Sequence, residues 1–114
     1  MIEITILYPK TPGSRFDHAY YETKHIPMAL DLLGPAVTGF TVTRGVTSGP
    51  PWPDPAYSTI CRFSCESVET YQHALLAHLG RLQADLVNYS DCEPIIQICE
   101  VTIQTIAAAG ADRT

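Results

Sequence analysis

The residues of this chain best suited to moving protons lie in one segment, Phe16-Asp-His-Ala-Tyr-Tyr-Glu-Thr-Lys-His-Ile-Pro-Met-Ala29. On a helix that advances about 100° per residue, Asp17, Tyr21 and His25 fall at i, i+4 and i+8 and form a polar stripe. A carboxylate, a phenol and an imidazole are groups that general acid–base chemistry uses, the phenol also serving as a donor to a developing oxyanion. Pro27 lacks an amide donor and disfavours helical backbone at Ile26, so the helix is expected to kink or stop just after His25. Carbonyls at such an end favour imidazolium, which would move His25 upward from its ordinary pKa of about 6.5.

Each of these residues also has a structural reading. His25 suits a C-terminal cap or a solvated surface group, Tyr20 and Tyr21 suit packing at the edge of a core, and Asp17 suits the positive end of the helix dipole. The natural core stripe of a regular helix here is Phe16, Ala19, Tyr20 and Thr23. His25 then falls nearly opposite it, and only a kink or a partner chain would bring it into a cavity.

The elements that must position these residues follow from hydrophobic periodicity. Residues 2–8 alternate Ile2, Ile4, Ile6 and Tyr8 with Glu3, Thr5 and Leu7, as a strand does. Pro9, Pro12 and Gly13 break it, and Ser14 is the expected N-cap of a first helix running from about Phe16 to a stop at Gly34-Pro35. Val37 to Val46 reads as a second strand and Tyr57 to Cys65 as a third. Between them Ser48-Gly-Pro-Pro-Trp-Pro-Asp-Pro55 has too few amide donors for helix or central strand, so it is a loop, either a plain hairpin connection or a lid. Ser67 is the expected N-cap of a second helix that carries Val68, Tyr71, Leu75 and Leu79 to Gly80. A short helical piece from Leu82 to about Asn88 follows, and Ile95 to Ile106 reads as a long last strand. The order β-α-β-β-α-β predicts one α+β, ferredoxin-like domain over residues 1–106 with an antiparallel four-stranded sheet, and a frayed tail over 107–114. Helices would cover one sheet face. The other, carrying Thr38, Phe40, Val42, Ile96 and Ile98 or their alternates, needs a cover, and a second copy of the chain supplies one in a C2 homodimer.

Composition narrows the function. A chain of 114 residues with 46% hydrophobic and 17% charged residues should form a packed core, though a small one. A net charge of −5 without a basic run argues against nucleic acid as a partner. The expected partners are a second copy and a small hydrophobic or aromatic ligand, with no membrane. No apolar run approaches a spanning length and Met1-Ile-Glu-Ile-Thr is unlike a signal peptide, so a cytoplasmic location is expected. Cys61, Cys65, Cys92 and Cys99 form no C-x-x-C and read as small hydrophobes in a reducing compartment. There is no Gly-rich phosphate loop and no H-E-x-x-H, and the spacings of seven between His18 and His25 and five between His73 and His78 match no common metal-ligand pair. No cofactor is expected.

The run Phe16-Asp17, Tyr20-Tyr21, His25, Pro27 and Ala29 resembles the signature of the EthD family, named for a protein of ethyl tert-butyl ether degradation. The later segment Asp85-Leu-Val-Asn-Tyr-Ser-Asp91 resembles that family's second motif. Position 28 departs, with Met where Leu is common, and the Pro-rich loop from Gly49 to Pro55 is an elaboration of this chain. The resemblance implies a dimeric α+β barrel with a pocket between sheet and helices in each protomer. It further implies a pocket-facing acid–base role for His25, with Tyr21 as a hydrogen-bond donor and Asp17 as a weaker participant. Related dimeric α+β barrel proteins include cofactor-free isomerases, polyketide cyclases, decarboxylases and oxygenases of electron-rich phenols. The expected function is therefore cofactor-independent His acid–base chemistry on an aromatic, phenolic or lactone-type compound. Two alternatives stay open: a cofactor-free oxygenase, and a non-catalytic ligand carrier or accessory protein of a degradation pathway.

Overall fold

In the computed structural model, which describes residues 1–105, the alternation at the N-terminus forms strand β1, Ile2–Pro9. Helix α1 covers residues 18–33, α2 Val68–Leu76 and α3 Leu79–Ala84, the last running into a 3₁₀ turn at Asp85–Asn88. The other strands are β2, Gly39–Arg44, β3, Tyr57–Cys65, and β4, Ile95–Glu100. The four strands lie in the order β2-β3-β1-β4, and every pairing is antiparallel. This is the α+β, ferredoxin-like arrangement that the element order predicts.

β3 has the bounds read from its alternation, and Ser67 caps α2 as expected by accepting from the Thr70 amide at 3.1 Å. Ser14 does not cap α1. It accepts from the Thr11 amide within the preceding turn, and Asp17 takes the cap position three residues later. β4 stops at Glu100, short of the expected Ile106, which with the tail 107–114 lies outside the described residues.

Pairing register decides which face each residue occupies. Phe40 lies opposite Phe63, Val42 opposite Cys61, Ile96 opposite Ile6 and Ile98 opposite Ile4. All therefore share the helix-covered face with the buried residues Ile4, Tyr8, Cys61, Phe63 and Cys65. The face without helices carries their alternates, including Thr5, Leu7, Thr41, Thr43, Ile60, Arg62, Ile95 and Gln97. It is a mixed surface rather than an apolar one, because the Thr-rich alternates of β2 and the Gln97 position turn that way. The helices cover the central strands and leave the sheet's edges open, so Phe40 and Ile96 are about half exposed.

α1 departs most from expectation. It does not end at Pro27. The chain is α-helical over His18–Tyr20, makes a π turn over Tyr21–His25, and is α-helical again over Ile26–Leu33. The Ile26 amide donates to the Tyr21 carbonyl, an i→i−5 bond. The widened turn gives the proline ring room where a regular helix would crowd it, and Pro27 sits in the first turn of the following segment, where its missing donor costs little. The extra residue in the turn also shifts the phase of all that follows. Tyr21, His25, Ile26, Ala29 and Leu33 become the buried stripe, in place of the expected Phe16, Ala19, Tyr20 and Thr23, and Thr23 is exposed with its hydroxyl donated to the Ala19 carbonyl at 2.6 Å.

The Pro-rich segment connects β2 to β3 and folds on itself, the Trp52 amide donating to Gly49 and the Ser48 amide to Pro53, each at 2.9 Å. It contributes no residue to the cavity described next. No helix among the described residues is long and apolar enough to cross a membrane.

Candidate active site

The two motifs meet in space. The approach to α1 is laced to the segment after α3: Asp17 N–H donates to the Tyr89 carbonyl at 2.7 Å, Arg15 N–H to Asp91 Oδ1 at 2.9 Å and Arg15 Nη2 to the Val87 carbonyl at 2.9 Å. Phe16 and Ser90 add an antiparallel bridge. These bonds hold the segment after α3 against the start of α1, and in the 3₁₀ turn Asp85 and Asn88, three residues apart, fall on one side.

His25 lies at the junction and is buried. Its Nδ1 is 2.8 Å from Asp85 Oδ2, and its Nε2 is 3.4 Å from the Tyr89 hydroxyl. Asp85 Oδ1 accepts from the Tyr20 hydroxyl at 2.8 Å and from Asn88 Nδ2 at 2.9 Å, so the carboxylate is held on both oxygens. The Tyr89 hydroxyl lies 2.9 Å from that of Tyr8, which projects from the end of β1. Tyr21 stacks on the His25 ring with centroids 5.4 Å apart and planes at 17°, and Tyr89 packs tilted against both, 4.5 Å from the His25 ring and 5.0 Å from that of Tyr21. The imidazole is thus fixed in direction by a carboxylate and in plane by two phenol rings.

Burial draws the His25 pKa below its ordinary value and outweighs the opposing pull of Asp85 through hydrogen bond and charge. This reverses the upward shift expected of a helix end, because α1 continues past His25 and no free carbonyls meet the ring. Burial pushes Asp85 upward, but the hydrogen bonds from Asn88, His25 and Tyr20 together prevail and hold it below its ordinary value. Burial drives the phenols of Tyr8, Tyr21 and Tyr89 upward, so all three keep their protons and are able to donate them in hydrogen bonds. A carboxylate acceptor on Nδ1 selects the tautomer with its proton there, leaving the Nε2 lone pair free to take a proton.

His25, Tyr89, Tyr8 and Tyr21 line a cavity of about 410 Å³ between the sheet and the helices. Its other walls are largely apolar, among them Ile26, Ala29, Leu33, Leu75, Leu82 and Leu86. The volume suits a small organic molecule.

Of the residues singled out in the sequence, His25 and Tyr21 come together in this cavity and Asp17 does not. Asp17 is exposed, and its carboxylate accepts from the Tyr20 amide at 3.0 Å as the N-cap of α1. Asp17→Ala is accordingly expected to cost about 1 kcal/mol of stability in urea unfolding and to leave the His25 titration unchanged. Asp85, Tyr89 and Tyr8 were not singled out. The first two stand in the second motif, whose Asp-x-x-Asn-Tyr spacing is the one signal that pointed to them, and Tyr8 carried only its place in the β1 alternation.

Comparison with known proteins agrees with this architecture. Residues 14–93 match the family model described as the EthD domain. The chain is similar to the crystal structure of an EthD-like protein from Ralstonia eutropha JMP134, at 38% identity over 91% of this chain and 94% of that one, with a TM-score of 0.87. An ethyl tert-butyl ether degradation (EthD) family protein from Bacillus halodurans C-125 shares the fold at 19% identity, TM-score 0.68, over 90% of this chain and 99% of that one. HapK from Hahella chejuensis does so at 18% identity, TM-score 0.58, over 96% and 100%. A comparison with curated protein sequences gave no match. With the matched segment spanning both motifs and the contacts between them, the chain belongs to the EthD family.

Proposed function

We propose that this chain is a small-molecule enzyme in which His25 moves a proton to and from carbon next to a carbonyl or phenolic oxygen. The observation that carries it is the double hold on His25: a carboxylate on Nδ1, and a phenol beside Nε2 in the cavity wall. In the proposed cycle the substrate's oxygen takes the hydrogen bond of the Tyr89 hydroxyl, with Tyr8 behind it. Nε2 accepts the α-proton, the electron pair of the broken C–H bond passes to the oxygen as an enolate, and the phenol stabilises that charge. Asp85 stabilises the imidazolium and holds its orientation as a positioning residue. The proton then returns from Nε2 to the same or a conjugated carbon, so atoms and charge balance with side chains alone and without a cofactor. Aromatic, phenolic and lactone-type compounds that isomerise or cyclise through enolates fit this chemistry.

The test is exchange of the α-hydrogens of 2-tetralone in D2O, followed by NMR against the uncatalysed rate. Wild type is expected to accelerate it and His25→Ala to lose roughly 10²- to 10⁴-fold of that acceleration. The largely apolar wall also suits a ligand carrier. Tight binding of aryl ketones with no acceleration of exchange would favour that second reading.

The protein is further proposed to act in the cytoplasm, where its four free thiols suit a reducing medium, and as a homodimer through the helix-free sheet face, where Ile95 is half exposed beside Leu7. A monomer mass in sedimentation equilibrium would remove the dimer.

A further inference from the structure

We propose that the His25 cavity selects neutral molecules with one hydrogen-bonding end and an apolar body, and rejects carboxylates of the same shape. The inference relies on the acid–base reading only to say which end of the ligand meets His25. One end of the cavity gathers hydrogen-bonding groups: the His25 imidazole and the Tyr89 and Tyr8 hydroxyls lie within a chain of contacts of 3.4 and 2.9 Å. Away from them the wall is largely apolar, with Phe63 and aliphatic side chains and the buried Tyr71 phenol, until the rim, where the exposed side chains of Gln83 and Glu93 complete the lining.

The charges point one way. Among the described residues no Lys or Arg lines the cavity. The nearest fixed charges are the Asp85 carboxylate behind the imidazole and the Glu93 carboxylate at the rim. An entering anion would lose its water, meet no cation, and pass one carboxylate to approach another. Its only compensation would be phenol hydrogen bonds, and a neutral ketone or phenol gains those at far lower desolvation cost. Burial keeps His25 neutral near pH 7, so the imidazole supplies no charge to offset the penalty.

A pair of probes that share a butylphenyl body, one neutral and one anionic, separates the cases. Binding of 4-butylphenol and of 4-butylbenzoate is measured by calorimetry at pH 7.5, with the His25 ring followed by NMR. The phenol is expected to bind, and the benzoate to bind more weakly by roughly tenfold or more. Glu93→Lys, which replaces the rim carboxylate with a cation, is expected to raise benzoate affinity relative to phenol affinity. Benzoate binding as tight as phenol binding in the wild type overturns the proposal, as does failure of both to bind. The acid–base reading fails separately: a phenol that binds selectively while the His25 pKa stays unmoved, together with no ketone exchange, retires that reading and leaves the selectivity standing.

Discussion

Asp85→Asn is expected to lower the His25-dependent exchange rate by roughly 10²- to 10⁴-fold while leaving the fold intact. The reason lies in how the carboxylate is held. Oδ1 already accepts from the Tyr20 hydroxyl and from Asn88 Nδ2, two donors that an amide nitrogen could not satisfy. An asparagine at position 85 would therefore keep its oxygen on that side and turn its NH2 group toward His25 Nδ1. Nδ1 would become the acceptor, the ring proton would move to Nε2, and the lone pair that faces Tyr89 and the cavity would be lost. The same substitution removes the hydrogen bond and the charge that oppose the effect of burial on His25, so its pKa should fall further. Ring ¹⁵N shifts report tautomer and pKa together. An unchanged exchange rate, or a ring that keeps its proton on Nδ1, would show that Asp85 does not position the base.

The wild-type pH dependence follows from the same shifts. His25 titrates below its ordinary value of 6.5, so the base form and the rate should be fully present above that pH and fall as His25 takes up a proton. Stability moves in the same sense. The unfolded chain binds its proton before the folded one does, so the contribution is fully present above 6.5 and is lost as the pH falls through the lowered folded value. His18, lowered by burial and by the Arg44 charge, adds to this window, and a His25→Gln variant separates the two. Asp85 acts in a lower window, its contribution being lost only as the pH falls below its ordinary value of 3.8 and through the folded one. Urea unfolding from pH 8 down to about pH 2 would resolve both.

What was legible in the sequence was what local rules control. The bounds of β3 follow from side chains that alternate with period two, and the Ser67 cap from one hydroxyl within reach of one amide. The direction in which His25 points was not legible. It depends on the bond from Ile26 N–H to the Tyr21 carbonyl, which rotates the second half of α1 relative to a regular helix, and a spacing of about 100° per residue holds only for a regular one. Pro27 gave the location of the irregularity but not its kind, since a stop, a kink and a π turn all relieve the same clash. The His25–Asp85 pair was less accessible still. It joins residues 60 positions apart, and spacing within one element says nothing about a contact that exists only after the segment 85–91 docks on the start of α1. Which alternation faces the helices stayed open for a smaller reason: it depends on pairing with β3 and β1, and both alternations of β4 contain apolar residues.

Tyr21 offers the other large effect, and it separates scaffold from chemistry. Tyr21→Ala is expected to cost roughly 3–5 kcal/mol in urea unfolding, because it removes a fully buried ring from the centre of an aromatic cluster. That ring meets Tyr8 at 5.3 Å, Phe16 at 5.1 Å and Tyr89 at 5.0 Å, and stacks on His25 at 5.4 Å. Tyr21→Phe keeps the ring and these packings and should retain most of the stability. The hydroxyl is then the only group in question. The family resemblance implies the donor role for Tyr21, whereas the phenol beside His25 Nε2 is that of Tyr89, backed by Tyr8. Tyr89→Phe is therefore expected to lower the ketone exchange rate by roughly 10²- to 10³-fold, the usual cost of losing an oxyanion donor, and Tyr21→Phe to lower it far less. The opposite ranking would return the donor role to Tyr21 and make Tyr89 a packing residue. Equal losses would mean that the two phenols act as one network, since both stand in the ring cluster around His25 and a change in either can tilt the imidazole that the other faces.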